Sequence, residues 1–474
     1  MNRRDFLKVL GGGSVAAAAV AVGCQHPNQT AAEGFSLGEV PSDKMSYRTN
    51  SHGDRVSLLG YGCMRLPTVA GESGREGDDE LDQAQINKLV DYALAHGVNL
   101  FDTAPPYCKG RSESAVGEAL SHHSRDEYFI SSKLSNFDAS TWSREASLNL
   151  YRNSLKFLRT DYLDYYMLHG IGMPAQDLSG TQLSGMEAFR RRYIDNGVLD
   201  FLLNERAKGR IRNLGFSYHG DVEVFDYLLS HNDEYHWDHV LIQHNYINWA
   251  HAKEISARDT NSEYLYAELE KRDIPVFVME PLLGGRLASL PDFAADQLKQ
   301  KEPTRSVASW AFRFAGNQPR ILTVLSGMTY LEHLQDNIRT FSPHVPLGED
   351  DLSMLQTIAD AYVRYPFIPC TSCKYCMPCP YGIDIPTSFS HYNKCVNEGL
   401  MVSDGIEAST YRKLRKAFLV GYDRVVEPLR QADHCIACGK CLVKCPQGIQ
   451  IPDQMHIIER YMEDLRQNSE IKAL

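Results

Sequence analysis

Between residues 56 and 326 the chain repeats one pattern eight times: a short apolar run, then an amphipathic segment at helical spacing. The apolar runs fall at 57–59, 99–101, 128–133, 162–168, 211–217, 240–245, 274–279 and 321–326. Helical patterns lie between them, for example at 81–96, 140–158, 221–229, 263–272, 304–315 and 331–339. Strands separated by a helix pair in parallel, because the crossover replaces a hairpin. Eight such units predict an α/β chain whose sheet closes into a (β/α)8 TIM barrel, here over residues 46–345. Enzymes of that architecture gather their chemistry at the C-terminal ends of the strands.

Three consecutive predicted strands end in chemically useful side chains. Residues 97–113 make a short buried strand ending in Asp102, then a loop stiffened by Pro105 and Pro106 that carries Tyr107. A helix is expected after Gly110, with Ser112 as its N-cap and Glu113 in its first turn. The next two strands end in Ile130-Ser131-Ser132-Lys133 and in Tyr162-Leu163-Asp164-Tyr165-Tyr166-Met167-Leu168-His169. These three pieces, in this order, resemble the signature of the aldo/keto reductases, and the resemblance covers residues 46 to 345. It implies a tetrad of Asp102, Tyr107, Lys133 and His169, a nicotinamide cofactor, and a small carbonyl or alcohol as substrate.

The tetrad also makes chemical sense residue by residue. Hydride transfer to a carbonyl builds negative charge on its oxygen, so a proton donor must stand beside it. A phenol, with a reference pKa of about 10, is a poor acid near neutrality. A neighbouring ammonium, Lys133, is expected to lower it, and a buried lysine calls for a carboxylate partner, Asp102. His169 can then hydrogen-bond the carbonyl oxygen. Each residue alone has an ordinary structural explanation. Four together on three strand ends point to catalysis.

The same resemblance implies the cofactor contacts. Gly215-Phe216-Ser217 and Gln243-His244-Asn245-Tyr246 correspond to strand ends that hold the nicotinamide. Gln243 would bond the carboxamide and Tyr246 would stack on the ring. Pro281 and Leu282 would pass the pyrophosphate, and Gly327 through Asn337 would approach the adenine. The basic residues that clamp the 2′-phosphate in NADP-dependent relatives align with Gly327 and His333, which leaves NAD and NADP both open. The segment 170–196 is long for a βα loop and stands where a substrate-shaping loop belongs.

Residues 346–474 are of another kind. Of twelve cysteines, eight lie in two runs after residue 369. Cys435-x2-Cys438-x2-Cys441-x3-Cys445-Pro446 is the bacterial ferredoxin run for a [4Fe–4S] cluster. Cys370-x2-Cys373-x2-Cys376-x2-Cys379-Pro380 is the same run with its last spacer one residue short. The tails repeat too, Pro-Tyr-Gly-Ile-Asp-Ile-Pro from Pro380 against Pro-Gln-Gly-Ile-Gln-Ile-Pro from Pro446. In such repeats the cysteine before the proline commonly ligates the other cluster. One cluster is therefore expected on Cys370, Cys373, Cys376 and Cys445, and a second on Cys435, Cys438, Cys441 and Cys379. A single cluster is the alternative. Zinc favours paired CxxC units, and short spacers suit disulfides poorly. Residues 387–400 and 409–422 are expected as helices, as in helical two-cluster ferredoxins. Cys395 is expected in the core.

The N-terminus is an address. Arg3-Arg4 followed by a mild apolar run to Val22 has the form of a twin-arginine export signal over 1–24, and residues 25–45 have the composition of a linker. Ala21-Val22-Gly23-Cys24 is lipobox-like, so a lipid tether on Cys24 and a free periplasmic protein are both open. With 49 lysines and arginines against 60 acids, the net charge of −11 argues against a nucleic-acid partner. The expected protein is an exported oxidoreductase whose clusters pass electrons to a partner or serve structurally. The rival is a non-catalytic redox sensor or electron-transfer subunit that keeps the barrel for cofactor binding.

Overall fold

A computed structural model describes residues 39–69, 80–402 and 406–468. The stretch predicted as an export signal, Cys24 and most of the predicted linker lie outside these residues. Val40–Leu474 forms one compact unit. Among the described residues no helix is long and apolar enough to cross a membrane.

The strands are β1 (Tyr47–Thr49), β2 (Arg55–Ser57), β3 (Leu59–Gly62), β4 (Leu100–Asp102), β5 (Phe129–Leu134), β6 (Leu163–Ile171), β7 (Ala175–Gln176), β8 (Gln182–Leu183), β9 (Ile211–Tyr218), β10 (His239–Gln243), β11 (Val276–Met279) and β12 (Ile321–Ser326). Eight of them close a parallel barrel in the order β3-β4-β5-β6-β9-β10-β11-β12. The first predicted strand, 57–59, straddles two elements. Ser57 ends β2, which pairs antiparallel with β1, and Leu59 begins the barrel strand β3. This hairpin closes the N-terminal end of the barrel: Val56 joins Leu100, Tyr165, Met167, Leu241, Phe277 and Leu322 in the interior core. Fully burying side chains of this size contributes roughly 1.5–3 kcal/mol each.

Segment 170–196 is not one open loop. It holds the β7–β8 hairpin, a short helix Gly185–Phe189 with a capping box at Ser184, and a π-turn over Arg190–Ile194. Beyond β12, the helix Glu349–Tyr362 lays Leu355, Ile358, Ala359 and Tyr362 onto a core shared with Trp310 and Phe314 of the barrel's outer layer. The cysteine-rich region has its own core of Phe389, Cys395, Phe418, Tyr422, Met455 and Ile458. The two repeated tails open the helices Ile385–Asn397 and Ile451–Gln467, each with proline in the first turn, where its missing N–H costs nothing. The helix Ala408–Val425 lies between them.

Candidate active site

The three tetrad strands are neighbours in the barrel, so Asp102, Lys133 and His169 stand side by side at its C-terminal mouth. Lys133 Nζ donates to Asp102 Oδ2 at 2.6 Å and to the Thr103 carbonyl at 2.8 Å. Ser131 Oγ donates to the other carboxylate oxygen at 2.7 Å. Both members of the pair are buried, which demands these extra bonds. His169 is held from three sides. Its Nδ1 pairs with Ser135 Oγ at 2.6 Å, its carbonyl accepts from Arg192 Nη2 at 2.6 Å, and its N–H donates to Tyr193 Oη at 3.2 Å. Arg192 and Tyr193 come from the π-turn, so segment 170–196 braces the histidine from beneath. Burial and the nearby Lys133 charge hold the His169 imidazole well below its usual pKa. It is neutral at pH 7.

Tyr107 stands on a turn that spans Tyr107–Gly110, where Cys108, Lys109 and Gly110 have φ of 50°, 56° and 84°. Left-handed backbone at non-glycine residues is costly and persists only where the surroundings enforce it. Ser112 does so: its Oγ donates to the Cys63 carbonyl at 2.8 Å and pairs with Thr103 Oγ1 at 2.8 Å. Ser112 is thus not the N-cap expected of it. Arg111 holds that place, and the serine fastens the turn to β3 and β4. The Tyr107 ring meets the His169 ring edge-on at 6.0 Å, and Lys133 Nζ lies 4.9 Å from its centroid. The expected lowering of the Tyr107 pKa by lysine is not what this geometry gives. Burial, followed by the charge of Asp102, pushes the phenol well above its usual value. Tyr107 keeps its proton at neutral pH.

The expected cofactor residues come from β9 to β12, across the mouth from the tetrad. Ser217 Oγ accepts from the Gly170 N–H at 2.9 Å. Gln243 Nε2 donates to Glu280 Oε2 at 3.1 Å. Pro281 and Leu282 follow β11, and Asn337 Nδ2 donates to Ser326 Oγ at 2.9 Å. A Cβ on Gly327 would meet nothing nearer than Arg65 Cβ and the Gly62 carbonyl at 3.9 Å, an open cradle beside backbone. His333 packs edge-on against Tyr330. Tyr246 is buried, with its ring centroid 6.1 Å from that of Phe314 and its hydroxyl without a hydrogen-bond partner.

The cysteines sort into two cavities. Cys370, Cys373, Cys376 and Cys445 line one, and Cys379, Cys435, Cys438 and Cys441 line the other. Four soft thiol donors around each cavity fit an iron–sulfur cluster. Their surroundings differ. The first run packs on the barrel: Arg65 Nη2 donates to the Thr371 carbonyl at 2.5 Å, and Gln447 Nε2 donates to Glu280 Oε1 at 3.1 Å. Glu280 thereby joins Gln243 to the residue two beyond Cys445, from a left-handed φ of 54°. The second run is outward, with Cys438 and Ile436 exposed. Cys395 is buried beside His391.

Sequence reasoning missed Ser135, Arg192, Tyr193, Arg65, Gln447 and Tyr375. One signal was available. The repeated tails differ at two positions, Tyr381/Gln447 and Asp384/Gln450, and at the first of these Gln447 is buried on the barrel while Tyr381 is 48% exposed.

A parallel barrel with a buried acid–lysine pair, a tyrosine and a neutral histidine at its mouth, joined to two four-cysteine cavities, defines an oxidoreductase with an iron–sulfur region. The chain belongs to the aldo/keto reductase family, NAD(P)-dependent oxidoreductases, which it matches over residues 58–360; residues 369–450 match the 4Fe-4S dicluster domain. Similar proteins include Protein tas of Escherichia coli, 27% identical over 68% of this chain and 99% of that protein. Another is the NADH-specific methylglyoxal reductase of Escherichia coli, 25% identical over 64% of this chain and 95% of that protein. Among solved structures, an aldo-keto reductase from Bacillus halodurans in its holo form superimposes with a TM-score of 0.50 at 22% identity, covering 66% of this chain and 96% of that one. One from Klebsiella pneumoniae in complex with NADPH gives 0.50 at 20% identity, again over 66% and 96%.

Proposed function

We propose that this protein reduces a small carbonyl compound, or oxidises the corresponding alcohol, with a nicotinamide held across the barrel mouth and two [4Fe–4S] clusters in the cysteine cavities. The observation that carries it is the buried Lys133–Asp102 pair with Tyr107 and His169 beside it. The nicotinamide supplies a hydride when bound. Gln243, Ser217, Pro281, Leu282, Gly327 and Asn337 are the residues that would hold it.

Tyr107 is the proton donor. Its raised pKa keeps the phenol protonated until charge develops on the substrate oxygen, and the Lys133 ammonium then stabilises the phenolate. With Nδ1 taken by Ser135, His169 offers Nε2 to the carbonyl oxygen and orients it. Asp102 holds the lysine in place. Neither Gly327 nor His333 offers a fixed cation to a 2′-phosphate, which supports NADH over NADPH. The twin-arginine pattern supports export of the folded protein to the periplasm.

Single-turnover oxidation of bound NADH by a panel of aldehydes and ketones tests this reading. Tyr107→Phe should lower the rate on the order of 10²–10⁴-fold with cofactor affinity nearly unchanged. Equal rates in wild type and Tyr107→Phe would remove Tyr107 from the chemistry.

A further inference from the structure

The two cysteine runs adopt the same turn and present different side chains from it. Ser372 and Lys374 in the first run have φ of 53° and 65°, and Ala437 and Gly439 at the matching places in the second have 55° and 74°. The next residue is Tyr375 in the first run and Lys440 in the second. Lys440 is exposed to solvent, as its run is. Tyr375 is half-buried, and its ring centroid lies 6.2 Å from that of Phe137. Phe137 in turn lies 4.7 Å from His169, with the Arg192 guanidinium 5.2 Å from its centroid. A chain of rings therefore runs from the histidine of the tetrad to the first cysteine run.

Both ends of that chain are fixed. A Cβ at Gly170, where φ is 61°, would stand 2.8 Å from the Phe137 ring, so glycine is what lets Phe137 lie against the strand end. On the other side, Gly284 with φ of 71° lets the loop after β11 approach Thr371, where a Cβ would stand 2.5 Å from Cα. With the Arg65 bond to the Thr371 carbonyl, the first run is seated on the mouth at two points of backbone.

We propose that Tyr375 is a wall of the substrate pocket, so that the first cysteine run selects which carbonyl compounds reach Tyr107 and favours compact ones. This rests on the carbonyl-reduction reading above. A carbonyl oxygen placed between Tyr107 and His169 turns its substituents toward Phe137 and Tyr375. Those rings adjoin, and 6.2 Å between centroids leaves no slot for a chain or a third ring. A long substituent must displace Tyr375, which sits between Cys373 and Cys376, two thiols of one cavity.

The test uses the full chain, loaded with iron and sulfide under anaerobic conditions and saturated with NADH. Two profiles are recorded: affinity for straight-chain primary amides from acetamide to octanamide, by quenching of nicotinamide fluorescence, and kcat/KM for aldehydes of the same lengths. Removing a pocket methylene's worth of contact changes discrimination by roughly 10–200-fold. Tyr375→Ala should therefore shift preference toward the longest member at least about tenfold in both profiles. Tyr375→Phe, which keeps the ring, should retain the wild-type order. An unchanged profile in Tyr375→Ala at full iron content overturns the proposal. Should Tyr375→Ala lose iron, Tyr375→Leu carries the same comparison. If wild type reduces no aldehyde, the function reading fails, while the amide profile still decides the wall.

Discussion

Lys133→Met deletes the ammonium that Asp102 holds at 2.6 Å and keeps most of the aliphatic stem. Asp102 is 3% exposed and would retain one bond, from Ser131 Oγ at 2.7 Å. The Thr103 carbonyl loses its donor at 2.8 Å as well. Breaking a buried pair from one side typically costs 3–5 kcal/mol, because a charge is left without compensation. With an unfolding entropy of about 2.1 cal/mol/K per residue, each kcal/mol shifts the melting temperature of a 474-residue chain by about 1 °C, so a loss of roughly 3–5 °C is expected. Turnover should fall by about 10²–10⁴-fold, since the phenolate formed at Tyr107 loses its counter-charge. The double variant Asp102→Leu/Lys133→Met separates the two effects. An apolar pair of similar volume often restores stability, whereas it cannot restore catalysis. Differential scanning calorimetry and single-turnover kinetics read both. A Lys133→Met protein that melts with the wild type would show that the buried pair is not what holds this strand end together.

Three further outcomes are expected. Cys445→Ser should remove the cluster of the first run, about half the iron, although Cys445 lies in the second run. Iron analysis and electron paramagnetic resonance check this; if Cys379→Ser and Cys370→Ser erase the same signal, the crossed arrangement is wrong. His239, buried between Tyr165 and Phe277 with both ring nitrogens unpartnered, has its pKa brought down to about 3 by burial. Its folded pKa lies below the unfolded value, so the associated stability is full above about pH 6.5 and declines as pH falls toward 3, by about 2 kcal/mol at pH 5. Denaturant melts at pH 8 and pH 5 should show that His239→Leu removes a loss of this size, and an unaltered pH dependence would contradict it. Arg3→Lys with Arg4→Lys should leave folded protein in the cytoplasm on cell fractionation; undiminished export would end the twin-arginine reading.

The barrel was legible because parallel strands buried on both faces are continuous apolar runs, and the chemistry stands where those runs stop. Asp102, Lys133 and His169 fall at or beside predicted strand ends, and the resemblance to the aldo/keto reductases singled them out there. What sequence could not supply was contact across the chain. Arg192 and Tyr193 lie in a segment without strong periodicity, yet they hold His169. Ser112 has the chemistry of an N-cap, but two buried oxygens competed for its hydroxyl. Cysteine spacing drew attention to the thiols and away from Tyr375 between them.

Because each cavity borrows a cysteine from the other run, neither is complete until both runs are present. The fourth thiol of the first cavity, Cys445, follows Cys376 by about seventy residues, a loop whose closure the helices between must first organise. A nascent chain that has exposed Cys370, Cys373 and Cys376 thus has three donors and no site. Iron and sulfide delivery has to wait for nearly the entire chain to leave the ribosome, and a single late frameshift ahead of Cys435 would empty both sites together. Assembly is set to all or nothing.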